Sequence, residues 1–208
     1  FCAGGHAEAV QEVHLEFSDV ALEGTSFCCG SYHTCALQHK DHHNVGIVEA
    51  GHSLCWGRDY LNQVDAPEDQ EFVQISCGGT FTCGLTPEEQ VVCWGGIGGH
   101  LDGRFVQISA GLDHACAVAL SGHVECMGRN SRGEASPPAL AQIASDGERF
   151  IQVSAGKSHS CALTNKGAVH CWGSNDKGQC DVPRVRQEHD DDDDEKDDVV
   201  VKAASLLS

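Results

Sequence analysis

The stretch "SCALTNKGAVHCWG", Ser160 to Gly173, sets Cys161 and Cys171 ten residues apart on either side of an Asn165-Lys166-Gly167 turn. Such a turn between apolar runs suits a three-residue hairpin loop with glycine in the left-handed position, where a side chain would be strained. Counting outward, Thr164 opposes Ala168, Leu163 opposes Val169, Ala162 opposes His170 and Cys161 opposes Cys171. Opposed residues alternate between hydrogen-bonded and non-hydrogen-bonded pairs. The cysteines fall on the second kind, with α-carbons roughly 4.5 Å apart, at the short end of what a disulfide spans. The reading is a hairpin stapled across its two strands.

The same spacing recurs at Cys83 and Cys93, and at Cys116 and Cys126, where Ser121-Gly122 supplies the turn. Pro87-Glu88-Glu89 lacks a glycine in the copy between them. A fourth pair, Cys35 and Cys55, brackets "ALQHKDHHNVGIVEAGHSL", a hairpin about ten residues longer than the others, whose ends still read "TCAL" and "LCWG". Structural zinc is the competing explanation for paired cysteines. Cys-x9-Cys is not a finger or ribbon spacing, and Cys-x2-Cys does not occur in the chain.

Aligned on these cysteines, the chain is an internal repeat. "FVQISCGGTFTCGL" from Phe72, "FVQISAGLDHACAV" from Phe105 and "FIQVSAGKSHSCAL" from Phe150 are plain copies, and "GTSFCCGSYHTCAL" from Gly24 is a fourth. Phe-Val-Gln-Ile-Ser alternates with period two and is rich in β-branched residues, which favours strands over solenoid helices. The organisation read from this is a partial repeat over 1–23, then units at 24–71, 72–104, 105–149 and 150–184. An acidic linker follows at 185–198, and 199–208 starts a further repeat. "FCAGGH" at the start is the counterpart of "ISAGLDH". Each unit leaves an apolar face that only a neighbouring unit can cover.

The fuller pattern is Ser-Ala-Gly-x-x-His-x-Cys-Ala-Leu, a glycine turn, Val-x-Cys-Trp-Gly, then Asn-x-x-Gly-Gln. It is clearest from Val153 to Gln179 and resembles the regulator of chromosome condensation repeat. The resemblance implies an all-β fold of short antiparallel sheets arranged as β-propeller blades, in a partial or about seven-bladed ring. The doubled cysteines are more similar to the extracellular branch, such as crinkly-type receptor ectodomains, than to the nuclear exchange factor. Two departures stand out: Met127 replaces the expected Trp, and "GGIGGH" after Trp94 shortens its unit.

Composition narrows the function. Thirteen cysteines among 208 residues, paired at hairpin spacing, point to an oxidising compartment, either extracellular or an organelle lumen. Phe1 is preceded by no methionine, and no signal peptide or membrane-length apolar run is present, so secretion is inferred from the cysteines and the chain is read as a processed or partial one. Net charge is -18, and the body stays acidic without the run at Asp190 to Asp198. A phosphate backbone is therefore a poor partner, since binding it depends on lysine and arginine. No nucleophile elbow, P-loop or dinucleotide fingerprint occurs, so neither an enzymatic role nor a cofactor is expected, and no metal site is assigned. The expected partner is another protein. The resemblance also admits a guanine-nucleotide exchange factor for a small GTPase, and a secreted enzyme inhibitor.

Several residues invite chemistry. His33, His114 and His159 share one repeat position, with Phe81 in the remaining copy. They read either as a ring of ligands or, since one copy manages with Phe81, as side chains bonding the backbone of a neighbouring strand. Trp56, Trp94 and Trp172 read as packing between units. The insertion gathers His39, Asp41, His42, His43, Glu49 and His52, a set open to three readings: a partner contact, a solvated loop or a zinc or copper site. The aspartate run has no EF-hand spacing. Cys2, Cys28, Cys29, Cys77 and Cys180 remain without assigned partners. Cys29 and Cys77 stand where other copies have Ala110 and Ala155, which reads as small-residue packing.

Overall fold

Period-two alternation of β-branched and apolar residues, broken at short intervals by glycine turns, yields only short strands. A computed structural model of the protein describes residues 27–39, 50–143 and 147–183, and among these it holds four antiparallel sheets that do not close on themselves. The first contains β1 (Phe27–Cys29), β2 (His33–His39) and β3 (Gly51–Gly57). The second contains β4 (Gln74–Cys77), β5 (Phe81–Leu85), β6 (Val91–Gly95) and β7 (Gly99–Leu101). β8 (Phe105–Ala110), β9 (His114–Ala119) and β10 (Val124–Gly128) form the third. After a four-residue helix α1 (Leu140–Ile143), β11 (Phe150–Ala155), β12 (His159–Thr164) and β13 (Val169–Gly173) form the fourth. The terminal segments 1–23, 185–198 and 199–208 lie outside the described residues, as do Asp41, His42, His43 and Glu49.

The hairpin register follows the turn. Leu163 pairs with Val169, Ala162 with His170 and Cys161 with Cys171. Gly167 sits at φ 86° and closes the loop, with the Thr164 N–H donating to the Ala168 carbonyl at 2.8 Å. The copy without a glycine makes the same loop. Glu89 takes the left-handed position at φ 65°, and the Thr86 N–H donates to the Gln90 carbonyl at 2.9 Å. The longer hairpin is laddered from His33 opposite Gly57 out to His39 opposite Gly51. The shortened unit containing "GGIGGH" still gains a strand that the sequence reading did not foresee. The chain turns back and adds β7 along β6, with Val91 opposite Leu101.

The sheets stack face against face, and each interface is a separate core. Phe81, Cys83 and Val91 of the second sheet meet Phe105, Ile108 and Ala117 of the third. Val118 and Val124 of the third meet Phe150, Val153 and Trp172 of the fourth. Cys35 and Leu37 of the first meet Phe72, Ile75 and Trp94 of the second. Phe72, Phe105 and Phe150 open successive repeats, and all three are buried. Neighbouring inner strands are tied by glutamine: Gln74 Oε1 accepts from the Ile108 N–H at 3.0 Å, and Gln107 both accepts from and donates to the backbone of Val153. A solitary sheet could bury neither face, so stacking supplies the stabilisation.

Candidate functional site

Two features carry the chemistry: the joints between sheets, and the loops at the ends of the first sheet. At the first joint His33, buried on β2, places Nε2 2.8 Å from Thr82 Oγ1 on β5. Thr82 in turn donates to the Gln63 carbonyl at 3.3 Å, and Trp94 Nε1 donates to that same carbonyl at 3.1 Å. Because the single Thr82 hydroxyl hydrogen goes to Gln63, the imidazole must be the donor, so Nε2 carries the proton. The third joint repeats every part. His114 Nε2 lies 2.8 Å from Ser160 Oγ, Ser160 donates to the Glu134 carbonyl at 3.2 Å, and Trp172 Nε1 donates there at 2.9 Å. The loops that present these carbonyls are fixed alike: Gln63 Oε1 accepts from the Leu61 N–H at 2.8 Å and Glu134 Oε2 from the Arg132 N–H at 2.6 Å.

For His33 and His114 the expected contact with a neighbouring strand runs chiefly through that strand's hydroxyl. They bond a neighbouring hydroxyl, which relays to the backbone. Nδ1 of His33 and of His114 is buried without a hydrogen-bond partner. Desolvation pushes both rings below the usual histidine range, outweighing the Phe81 carbonyl and Asp59 at His33, and Glu134 at His114. A neutral imidazole suits a dry joint; an imidazolium would leave a second N–H with nothing to bond.

The middle joint changes all four positions together. Phe81 stands for the histidine, Ala115 for the hydroxyl, Met127 for the tryptophan, and Ile97 occupies the loop position of Gln63 and Glu134 against the following glycine. Phe81 and Ala115 are buried, and Met127 and Ile97 pack against the same cluster. Replacing both partners of a buried hydrogen bond by apolar groups costs little, whereas replacing one strands the other. The two sequence departures, Met127 and "GGIGGH", are thus parts of one apolar joint. The backbone approaches closely here in every repeat: a Cβ on Gly78 would lie 2.0 Å from the Phe81 ring, and one on Gly30 would lie 2.2 Å from the His33 ring.

Sulfur completes the framework. Disulfides join Cys35 to Cys55, Cys83 to Cys93, Cys116 to Cys126 and Cys161 to Cys171, with Cα–Cα separations of 4.0 to 4.1 Å. A further bridge, Cys28–Cys77, runs between the first and second sheets, and Cys29 is disulfide-bonded as well. The reading of Cys29 and Cys77 as small-residue packing is accordingly replaced by covalent linkage. Cys180 is the free thiol among the described residues, and burial, together with the Asp181 charge, raises its pKa. His33, Cys35 and Cys77 lie close enough to suggest a metal site, but both sulfurs are already in disulfides and no thiolate is left to ligate.

The histidine-rich insertion leaves the first sheet at the β2–β3 tip. His39 ends β2 and His52 follows the first residue of β3. His52 Nδ1 lies 3.2 Å from the Gln70 carbonyl and Nε2 3.6 Å from Glu71, so it turns toward the next connection. At the other end of the sheet is a cluster the sequence reading missed. Arg58 lies between Tyr32 and Tyr60, 4.9 and 4.3 Å from the ring centroids, with the tyrosines 62% and 74% exposed. These are the two tyrosines of the chain, and "SYH" with "GRDY" at successive loop positions was the available signal. Trp56, read as packing between units, is 42% exposed where Trp94 and Trp172 are 7% and 9%.

The comparisons agree with this architecture. Residues 72–96, 105–134 and 150–179 match the regulator of chromosome condensation (RCC1) repeat, and the four sheets of the described residues have the β-propeller type of architecture. No curated protein matches it. Among solved structures, the CRINKLY WD40 ectodomain of the Arabidopsis thaliana receptor kinase ACR4 is similar at 25% identity and TM-score 0.52, over 74% of this chain and 51% of that one. The entire ectodomain of the Physcomitrella patens receptor kinase CR4 is similar at 24% identity and TM-score 0.55, over 77% and 43%. Prp20p from Saccharomyces cerevisiae, whose structure was described with its binding properties to Gsp1p and histones, shares the fold at 18% identity and TM-score 0.59, over 78% and 47%. The chain spans about half the length of these structures.

Proposed function

We propose that the protein is a non-enzymatic, extracytoplasmic β-propeller scaffold that binds a protein partner through its loops. The observation that carries this reading is the staple repeated in all four hairpins. Cytosolic glutathione keeps such thiols reduced, so a chain invested in them works where they persist. The likeness to the ACR4 ectodomain supports the same compartment. No helix among the described residues is long and apolar enough to cross a membrane.

Partner contact is assigned to the first sheet, where the insertion carrying His39, Asp41, His42, His43, Glu49 and His52 emerges. Loops borne on a rigid, cross-linked sheet can present side chains at little ordering cost. Replacing 40–49 by a short Gly-Ser turn leaves the β2–β3 ladder intact and is expected to preserve the melting temperature while abolishing binding of the natural partner; retained binding refutes the assignment. For the exchange-factor reading, the test is GDP release from a panel of small GTPases. The scaffold reading predicts no acceleration by the oxidised chain, and a clear acceleration overturns it.

A further inference from the structure

The loops that follow β3 and β10 are the same turn in the first and third sheets. Arg58 and Arg129 each follow the glycine that pairs with the repeat histidine. The backbone N–H of each donates to the residue before that histidine, Arg58 to the Tyr32 carbonyl at 2.8 Å and Arg129 to the Asp113 carbonyl at 2.7 Å. Asp59 Oδ1 accepts from the Val64 N–H at 3.4 Å, as Asn130 Oδ1 accepts from the Ala135 N–H at 3.0 Å. Each guanidinium also donates to the hydroxyl two residues on: Arg58 Nη2 to Tyr60 at 3.4 Å, and Arg129 Nε to Ser131 at 2.9 Å. The two arginines are therefore presented alike.

Their charge environments differ. Arg129 is neutralised by two carboxylates, with Nη1 3.3 Å from Asp113 Oδ2 and Nε 3.8 Å from Glu134 Oε1. In the first sheet those two positions hold Tyr32 and Gln63, so both negative charges are gone. Among the described residues no carboxylate forms an ion pair with Arg58, in a chain with 31 acidic residues against 13 basic ones. Two aromatic rings hold the guanidinium instead, and Leu61, 51% exposed, extends the apolar rim around it. Contact with ring faces satisfies the charge but few of the hydrogen bonds. Of the five N–H donors on the fork, one is used by Tyr60, and the others remain for a planar acceptor.

We propose that Tyr32, Arg58 and Tyr60 form a receptor for a carboxylate side chain of a protein partner, carried on an acidic segment with apolar neighbours. The incoming aspartate or glutamate takes the place that Asp113 fills for Arg129 and accepts from the Arg58 fork, while the residues beside it pack on the tyrosine rings and Leu61. Tyrosine and arginine dominate binding hot spots. Covering the rings removes water from around the ion pair and strengthens it. The receptor lies at the end of the first sheet opposite the β2–β3 tip, so it is a second contact and does not rest on the histidine-rich insertion.

The test is a nuclear magnetic resonance titration of the full oxidised chain with ring-labelled tyrosine, in which Tyr32 and Tyr60 are the two tyrosines and give the only ring signals. The probe is an end-blocked pentapeptide, Gly-Leu-Glu-Leu-Gly, and its glutamine counterpart is the control. A saturable shift of both signals is expected with the glutamate peptide and none with the glutamine one. Arg58→Gln should abolish the response, and Tyr32→Asp, which rebuilds the Asp113–Arg129 arrangement, should abolish it at Tyr60, both at unchanged melting temperature. No response, equal responses to the two peptides, or a full response in either variant overturns the receptor. A response confined to an acid-free peptide with an unblocked C-terminus overturns its assignment to a side chain. The chain with 40–49 replaced should titrate as the parent does, so failure of this site and failure of the insertion are read separately.

Discussion

His33 and His114 are held neutral in dry joints, and that fixes how the protein responds to acid. Their folded pKa values lie below the ordinary value of about 6.5, so between the two values the unfolded chain binds protons that the folded chain refuses. Stability is thus full above about pH 6.5 and falls as pH drops through 6.5 toward the folded pKa. A melting curve series from pH 7.5 to 5.0 should show that decline, and His33→Phe paired with Thr82→Ala should make it shallower; an unchanged slope would contradict the assignment. The same relay predicts that Ser160→Ala alone costs about 1–3 kcal/mol by stranding its partners, whereas His114→Phe added to it recovers part of the loss, as the Phe81–Ala115 joint shows is feasible. Denaturant unfolding of both variants checks this. The repeated histidine was legible in the sequence. Its acceptor was not, because the hydroxyl lies 49 or 46 residues away, and only the stacking order of the sheets brings the two together.

At the scale of the hairpin, local chemistry sufficed. The turn placed glycine at positive φ, and the register of Cys161 and Cys171 followed from counting. Each short staple closes a loop of ten residues and should contribute about 2 to 3 kcal/mol by restricting the unfolded chain. Cys161→Ser with Cys171→Ser is expected to lower unfolding free energy by that amount, and a neutral outcome would show that the bridge does not constrain the unfolded ensemble. The glycine-free turn gives an independent check. Glu89 adopts a conformation that disfavours a side chain by roughly 1–2 kcal/mol, and its ion pair with the exposed Arg104 offsets little of that. Glu89→Gly should therefore raise the melting temperature, and a fall would mean that the ion pair outweighs the backbone term. What counting missed was β7, since "GGIGGH" carries too few apolar residues to signal a strand by itself; it forms because β6 offers an open ladder.

Across the described residues, four sheets of alternating residues are held by three cores, matched polar or apolar joints, and sulfur bridges both within and between sheets. The repeat made the architecture legible, because no single unit could bury its faces. The bridge from Cys28 to Cys77 was not, since it links positions 49 residues apart on separate sheets and has no hairpin to set its register. A stapled scaffold requires those sulfur atoms to be bonded to one another. Intact mass of the alkylated chain, purified from a secretory host and compared before and after reduction, addresses this most directly. The hairpin cysteines Cys35, Cys55, Cys83, Cys93, Cys116, Cys126, Cys161 and Cys171 are expected to take label only after reduction, with a steep fall in melting temperature under thiol. Labelling of those same positions in the unreduced, denatured chain, with an unchanged melt on adding reductant, would contradict the stapled extracytoplasmic scaffold.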